Sequence, residues 1–119
     1  PKRATGIVLS ALFFIENTYI LCKHTNVIKS FYDKDSEKIW KGEFTKRIPN
    51  QIADVALRKL RLINSALDLE NLKIPPKNCL EALKNNRKGQ YSIRINDQWR
   101  ICFIWIDGHA YDVEIVDYH

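Results

Sequence analysis

Glycine and proline are scarce in this chain: four of each among 119 residues, too few for a low-complexity linker or a fibrous repeat. Cysteine is scarcer. Cys22, Cys79 and Cys102 form an odd set with no C-x-x-C pair, and His24, His109 and His119 are scattered. That count and spacing argue against a disulfide framework and a structural zinc site, and reduced thiols fit the cytoplasm. Long apolar runs are missing too. Ile7 to Ile15, with Ser10 inside it, is far short of the roughly 20 residues of a membrane-spanning helix. Lys2 and Arg3 ahead of it imitate a secretory leader, but Glu16 and Asn17 interrupt the run and no small-x-small cleavage site follows. No membrane partner is expected.

What is present is the makeup of one globular domain: 45% hydrophobic and 28% charged residues, with a net charge of +5. The charge is unevenly placed. Residues 73–100 carry seven Lys/Arg against two acids, whereas residues 101–119 carry four acids and no Lys or Arg. A moderately basic chain favours an acidic partner such as nucleic acid.

The pattern of apolar residues predicts helices early and strands late. Val27–Phe31 reads as a short strand, and Asp33 to Glu43 as a helix capped by Asp33 or Asp35, with Ile39 and Trp40 buried. Pro49 opens the longest helix, which runs to about Leu67 with Ile52, Val55/Ala56, Leu60, Ile63 and Ala66/Leu67 on one stripe. A helical turn follows at Leu69–Leu72, and Pro75-Pro76 ends everything helical. Strands are expected at Leu80–Leu83, Tyr91–Ile95, Trp99–Ile106 and Ala110–Val116. This order implies an α+β domain, an antiparallel β-sheet meander with helices packed on one face.

Register decides where the charges lie. A three-residue loop, Ile106-Asp107-Gly108, pairs Phe103 with Tyr111 and Ile101 with Val113, and sets Arg100 opposite Glu114. A loop at Asn96-Asp97-Gln98 sets Arg94 opposite Arg100. One face is then greasy, with Trp99, Phe103 and Trp105 turned to the helices. The other carries Ser92, Arg94, Arg100, Asp112 and Glu114, with Ile104 as the exception. Two facing arginines repel unless answered. Either Glu114 neutralises Arg100, or the pair forms a phosphate-binding surface.

From Val27 onward the chain resembles the HigB branch of the RelE/ParE toxin superfamily, the plasmid-maintenance killer proteins of bacterial toxin–antitoxin pairs. The resemblance rests on Val-Ile-Lys-Ser-Phe at 27–31, Leu-Glu-Ala-Leu-Lys at 80–84 and Arg-Lys-Gly-Gln-Tyr-Ser-Ile-Arg at 87–94. It continues in Asn-Asp-Gln-Trp-Arg at 96–100 and the terminal Asp-Tyr-His at 117–119. Residues 1–26 fall outside it and read as an N-terminal extension of a 27–119 toxin domain; at 83–86 the chain has Leu-Lys-Asn-Asn where many relatives read Leu-Lys-Gly-Asp. The resemblance implies a microbial-RNase-like fold, an endoribonuclease that cleaves messenger RNA on the ribosome, no cofactor, and a HigA-like helix-turn-helix antitoxin through which alone DNA is met.

Cleavage of RNA through its own 2′-hydroxyl needs a base, cations for the charge gathering on the phosphorane, and an acid for the leaving oxygen. On the resemblance, Arg100 stabilises the phosphate in the transition state, and Arg94 and Lys84 contact phosphate or ribosomal RNA. Each has a plain alternative as an ion-pair partner or a solvated charge. Glu81 acts as a base, orients one, or is an exposed loop acid. His119 has the right intrinsic pKa for proton transfer, Tyr118 stacks on a splayed base, and Asp117 orients the imidazole or meets an arginine; composition alone would make all three a frayed terminus. Arg87 and Lys88 attract RNA or form a solvated basic turn. Two other functions stay open: a non-enzymatic gyrase inhibitor of the ParE kind, and a basic binding module neutralised by an antitoxin.

Overall fold

The computed structural model describes residues 26–118; His119 and, Asn26 aside, the expected N-terminal extension lie outside the described residues. Helix α1, Lys34–Trp40, starts where Asp33 accepts a 2.9 Å hydrogen bond from the Ser36 amide, satisfying an otherwise orphaned donor. It ends three residues earlier than the pattern suggests. Gly42, at φ +82°, lets the Glu43 amide turn back onto the Lys38 carbonyl at 2.8 Å, which closes the helix. Helix α2, Asn50–Ser65, follows Pro49 and buries Ile52, Ala56, Leu60 and Ile63 on the expected stripe; Ala66 is buried just beyond it, whereas Leu67 points into solvent.

Beyond α2 the backbone makes a 3-10 turn at Leu69–Lys73. Contrary to expectation, Pro75-Pro76 does not end helical geometry, because Pro76 opens a second 3-10 turn at Pro76–Asn78, where its missing N–H costs nothing. The sheet then forms in chain order from β1 (Glu81–Ala82), β2 (Gln90–Arg94), β3 (Trp99–Ile106) and β4 (His109–Asp117), every pair antiparallel. Val27–Phe31 runs parallel to β4 and pairs with it through two isolated bridges, Ile28 with Ala110 and Phe31 with Val113. Asn64 of α2 accepts from both the Val27 and Ile28 amides at 3.0 Å, tying that segment to the helix layer.

The core lies between the helices and one sheet face, where Ile93, Ile101, Phe103, Val113 and Ile115 are fully buried. Trp99 is buried with them, and Trp40 and Trp105 pack against this cluster from its edge. Ser36 of α1 accepts from the Ile115 amide at 2.9 Å, and Arg47 bridges Asp33, Asp35 and the Ile115 carbonyl, so α1 is docked onto β4 by polar groups as well as apolar ones. Among the described residues, no helix is long and apolar enough to cross a membrane.

The β3–β4 register corrects the expectation. Asp107 and Gly108, at φ +50° and +78°, form a two-residue turn of the kind that right-handed strand twist favours, instead of a three-residue loop. Ile106 faces His109 and Ile104 faces Tyr111, while beyond an irregularity at Phe103 the partners are Cys102 with Glu114, Ile101 with Ile115, Arg100 with Val116 and Trp99 with Asp117. The extra residue is the β-bulge at Asp112, held at φ +51° while its amide donates to Ser30 Oγ at 2.9 Å. Beyond the bulge the true partners are displaced by two residues from those expected, an even number, so Val113, Glu114 and Ile115 keep their expected faces. Between bulge and turn the displacement is one, which turns Ala110 into the core and puts Tyr111 opposite Ile104 instead of Phe103. The β2–β3 register is as expected, with Arg94 opposite Arg100.

Candidate active site

The register strings Glu81, Ser92, Cys102 and Glu114 into one row across all four strands, on the face turned away from the helices. Arg94 and Arg100 stand in the next row. Alternation puts them there: Ile93 and Ile101 must face the core, so their neighbours must not.

Arg100 is the most constrained cation of this face, its side chain only 12% exposed. Its Nε donates to Ser92 Oγ at 2.8 Å, and its Nη2 donates to the Cys79 carbonyl at 2.6 Å. Glu81 Oε1 lies 3.7 Å from the same Nη2. The Tyr118 ring covers the guanidinium at 5.9 Å, a cation–π distance. Cys79 presents its carbonyl from a left-handed backbone conformation, φ +47°, at the end of the second 3-10 turn. A guanidinium has five N–H donors in a rigid fork. Here neutral acceptors hold the fork in place, and Nη1 keeps its donors without a hydrogen-bond partner among the described residues.

Glu114 does not neutralise Arg100. Its partner is Arg87, at 3.4 Å, and Arg87 also donates to Gln90 Oε1 at 3.0 Å. The bulge causes the exchange by moving Glu114 opposite Cys102 and placing Val116 opposite Arg100. Arg94 is held by Asp97 across the β2–β3 turn, so each of the two facing arginines has an acid of its own.

The remaining expected residues divide. Glu81 and Tyr118 converge on Arg100. Asp117 shares the core-facing parity of its cross-strand partner Trp99, and its carboxylate accepts from Gln98 Nε2 at 3.1 Å. Lys84 and Lys88 are exposed around the 3-10 turn Asn85–Arg87 and flank the site without touching Arg100. His119 lies outside the described residues.

Sequence reasoning missed the groups that hold the site together. Ser92 was readable as an open-face residue, yet nothing marked it as the buried acceptor for Arg100. The Cys79 carbonyl gives no side-chain signal at all. Cys102, fully buried amid these charges, is pushed up to about 11, chiefly because burial disfavours its thiolate. It is therefore a packed neutral thiol under the site rather than a nucleophile. Among the described residues, no three His, Cys, Asp or Glu side chains gather as metal ligands would.

A family model for the RelE-like toxin of type II toxin–antitoxin system HigB matches residues 29–119. Toxin HigB-1 of Vibrio cholerae is 41% identical over 81 residues, which cover 67% of this chain and 85% of the relative. Endoribonuclease HigB of Proteus vulgaris is 33% identical over 93 residues, covering 78% of this chain and all of the relative. Among solved structures, the YoeB–YefM complex from Staphylococcus aureus aligns with a TM-score of 0.49 at 22% identity, over 77% of this chain and 97% of that one. The chain belongs to the HigB-like family of RelE-like toxins and is the toxin of a type II toxin–antitoxin system, with an antitoxin as its partner.

Proposed function

We propose that this toxin, an endoribonuclease, cleaves messenger RNA on the translating ribosome at the Arg100 face, by attack of the substrate's own 2′-hydroxyl and without a metal ion. The activity class is supported by the full-length similarity to a relative named an endoribonuclease. The observation that carries the site assignment is Arg100, held nearly buried by Ser92 and the Cys79 carbonyl beneath the Tyr118 ring.

The reaction forms a bond from the 2′-oxygen to phosphorus and breaks the bond from phosphorus to the 5′-oxygen. The 2′-proton passes to a base and a second proton reaches the leaving oxygen, leaving a 2′,3′-cyclic phosphate and a 5′-hydroxyl. Charge accumulates on the phosphorane, where the preset Arg100 donors act without reorganising. Glu81, beside Arg100, takes the 2′-proton. His119, next in sequence to Tyr118 and with an intrinsic pKa near neutrality, supplies the proton to the leaving oxygen. Tyr118 stacks on an unpaired base, and Lys84, Arg87, Lys88 and Arg94 draw in messenger and ribosomal RNA. Asp117 steadies the terminal segment through Gln98. The antitoxin is a HigA-like helix-turn-helix protein, and the toxin works in the bacterial cytoplasm.

Mapping cellular RNA 5′-hydroxyl ends after brief induction tests this reading, with Arg100→Ala alongside. New ends inside translated codons are expected, and the variant loses them. Growth arrest with an unchanged map would overturn it and point to a non-nucleolytic target such as gyrase.

A further inference from the structure

We propose that the groove between α2 and the Ile74–Asn78 segment is the seat of the antitoxin, and that it takes an acidic stretch of that partner bearing a bulky aliphatic side chain. The groove encloses about 520 Å³ and is lined by Arg58, Lys59, Arg61, Leu62, Ser65 and Pro75. Arg58, Arg61, Leu62 and Ser65 follow the i, i+3, i+4, i+7 spacing, so they share one helix face, off the buried stripe of Ile52, Ala56, Leu60 and Ile63. Of these four only Leu62 also touches the core, and it is half-buried; Arg58, Arg61 and Ser65 are exposed.

Its opposite wall is fixed. Asn78, fully buried, donates to the Leu72 carbonyl at 3.1 Å and the Ile74 carbonyl at 3.2 Å, and accepts from Lys59 Nζ. A groove built before its ligand arrives spares the ordering cost of binding. Close in sequence to its lining residues Ser65 and Pro75, Leu67 and Ile74 are exposed at 78% and 72%, large aliphatic surfaces with no cover among the described residues.

Charge selects the occupant. Neither Arg58 nor Arg61 has an ion pair among the described residues, although the structure answers Arg87, Arg94 and Arg100 with acids. Lys59 has its pKa lowered, first by burial and then by the neighbouring Arg58 and Arg94, which marks the spot as short of negative charge. Leu62, Pro75 and the aliphatic stems of the cations form the walls, and among the described residues no aromatic ring lines them to stack a base, so an amphipathic protein segment fits better than RNA. A second copy of a chain with net charge +5 brings the wrong sign.

Co-expression of the full chain with its antitoxin tests the proposal, using the charge reversal Arg58→Glu with Arg61→Glu. Both side chains are exposed and lie outside the catalytic face, so the variant folds and still arrests growth when expressed alone. Its affinity for the antitoxin, measured by calorimetry, falls at least about 100-fold, and the antitoxin no longer rescues growth. Affinity within twofold of the unaltered chain, with rescue intact, would overturn the proposal. So would intact rescue with weakened RNA cleavage, which would assign the groove to RNA, or a changed oligomeric state of the free toxin, which would assign it to a second copy.

Discussion

Arg87 Nη1 lies 3.4 Å from Glu114 Oε1 and 3.0 Å from Gln90 Oε1, so one guanidinium ties the turn after β1 to both β2 and β4. Lys84 and Lys88, the exposed cations of that turn, are thereby kept at the edge of the Arg100 face. Partial burial of the pair, at 31% and 18% exposed, strengthens the attraction relative to a solvated one. A double-mutant cycle of Arg87→Ala and Glu114→Ala, followed by denaturant unfolding, should give a coupling of about 0.5–1 kcal/mol that weakens in high salt. A coupling of zero at low salt would mean that the turn is held by other contacts.

Arg100→Lys should cost about 10²–10³ in the cleavage rate while leaving the fold in place. Lysine keeps the charge but cannot satisfy Ser92 Oγ and the Cys79 carbonyl together as the fork does. The two readouts are single-turnover cleavage of a model messenger and the melting temperature. A lysine variant as fast as the parent would show that a point charge suffices and that the held fork is not the catalytic feature.

Much of this arrangement was legible beforehand, and what was not has a physical source. The stripe Ile52, Ala56, Leu60, Ile63 and the alternation Ile93, Ile101, Phe103 are local periodicities, and they identified the layers and the open face correctly. The β4 bulge depends on Ser30, about eighty positions away in sequence, and no local pattern announces it. It reassigned Glu114 from Arg100 to Arg87 while sparing the faces beyond it, where a shift of two residues preserves parity; only Ala110 and Tyr111, between bulge and turn, change sides. The Asp107-Gly108 dipeptide carries the local signal of a two-residue turn, and the distant bulge is what makes that turn compatible with Ile101 and Ile115 sharing the core face. Arg100, Glu81 and Tyr118 were found through family motifs, whereas the Cys79 carbonyl could come only from three-dimensional placement.

Truncation of the core stripe should be expensive. Ile63 is fully buried in the cluster between α2 and the sheet, so Ile63→Ala should destabilise the fold by about 2–5 kcal/mol. Chemical unfolding at fixed pH measures the difference. A loss under about 1 kcal/mol would mean that the site collapses around the missing atoms, and that α2 is less tightly seated than its burial implies.

The buried thiol predicts a specific alkaline weakness. Burial raises Cys102 from its ordinary 9.0 to about 11 in the folded chain, with Glu114 and Glu81 adding to the rise and Arg87 and Arg100 opposing it. The folded state therefore holds the proton more tightly than the unfolded one. The stability this represents is fully present below pH 9 and is lost as pH rises toward 11, at most about 3 kcal/mol for one thiol. Cys102→Ala removes the titration, so its unfolding free energy should fall less than that of the parent between pH 8.5 and 11, although cavity formation makes it less stable at neutral pH. At neutral pH the same burial should leave Cys102 unmodified by iodoacetamide while the exposed Cys79 reacts. Parallel pH curves for parent and variant, or alkylation of Cys102 as fast as Cys79 in the native protein, would show that the thiol is not sealed beneath Arg100 and Glu114 and that this face opens in solution.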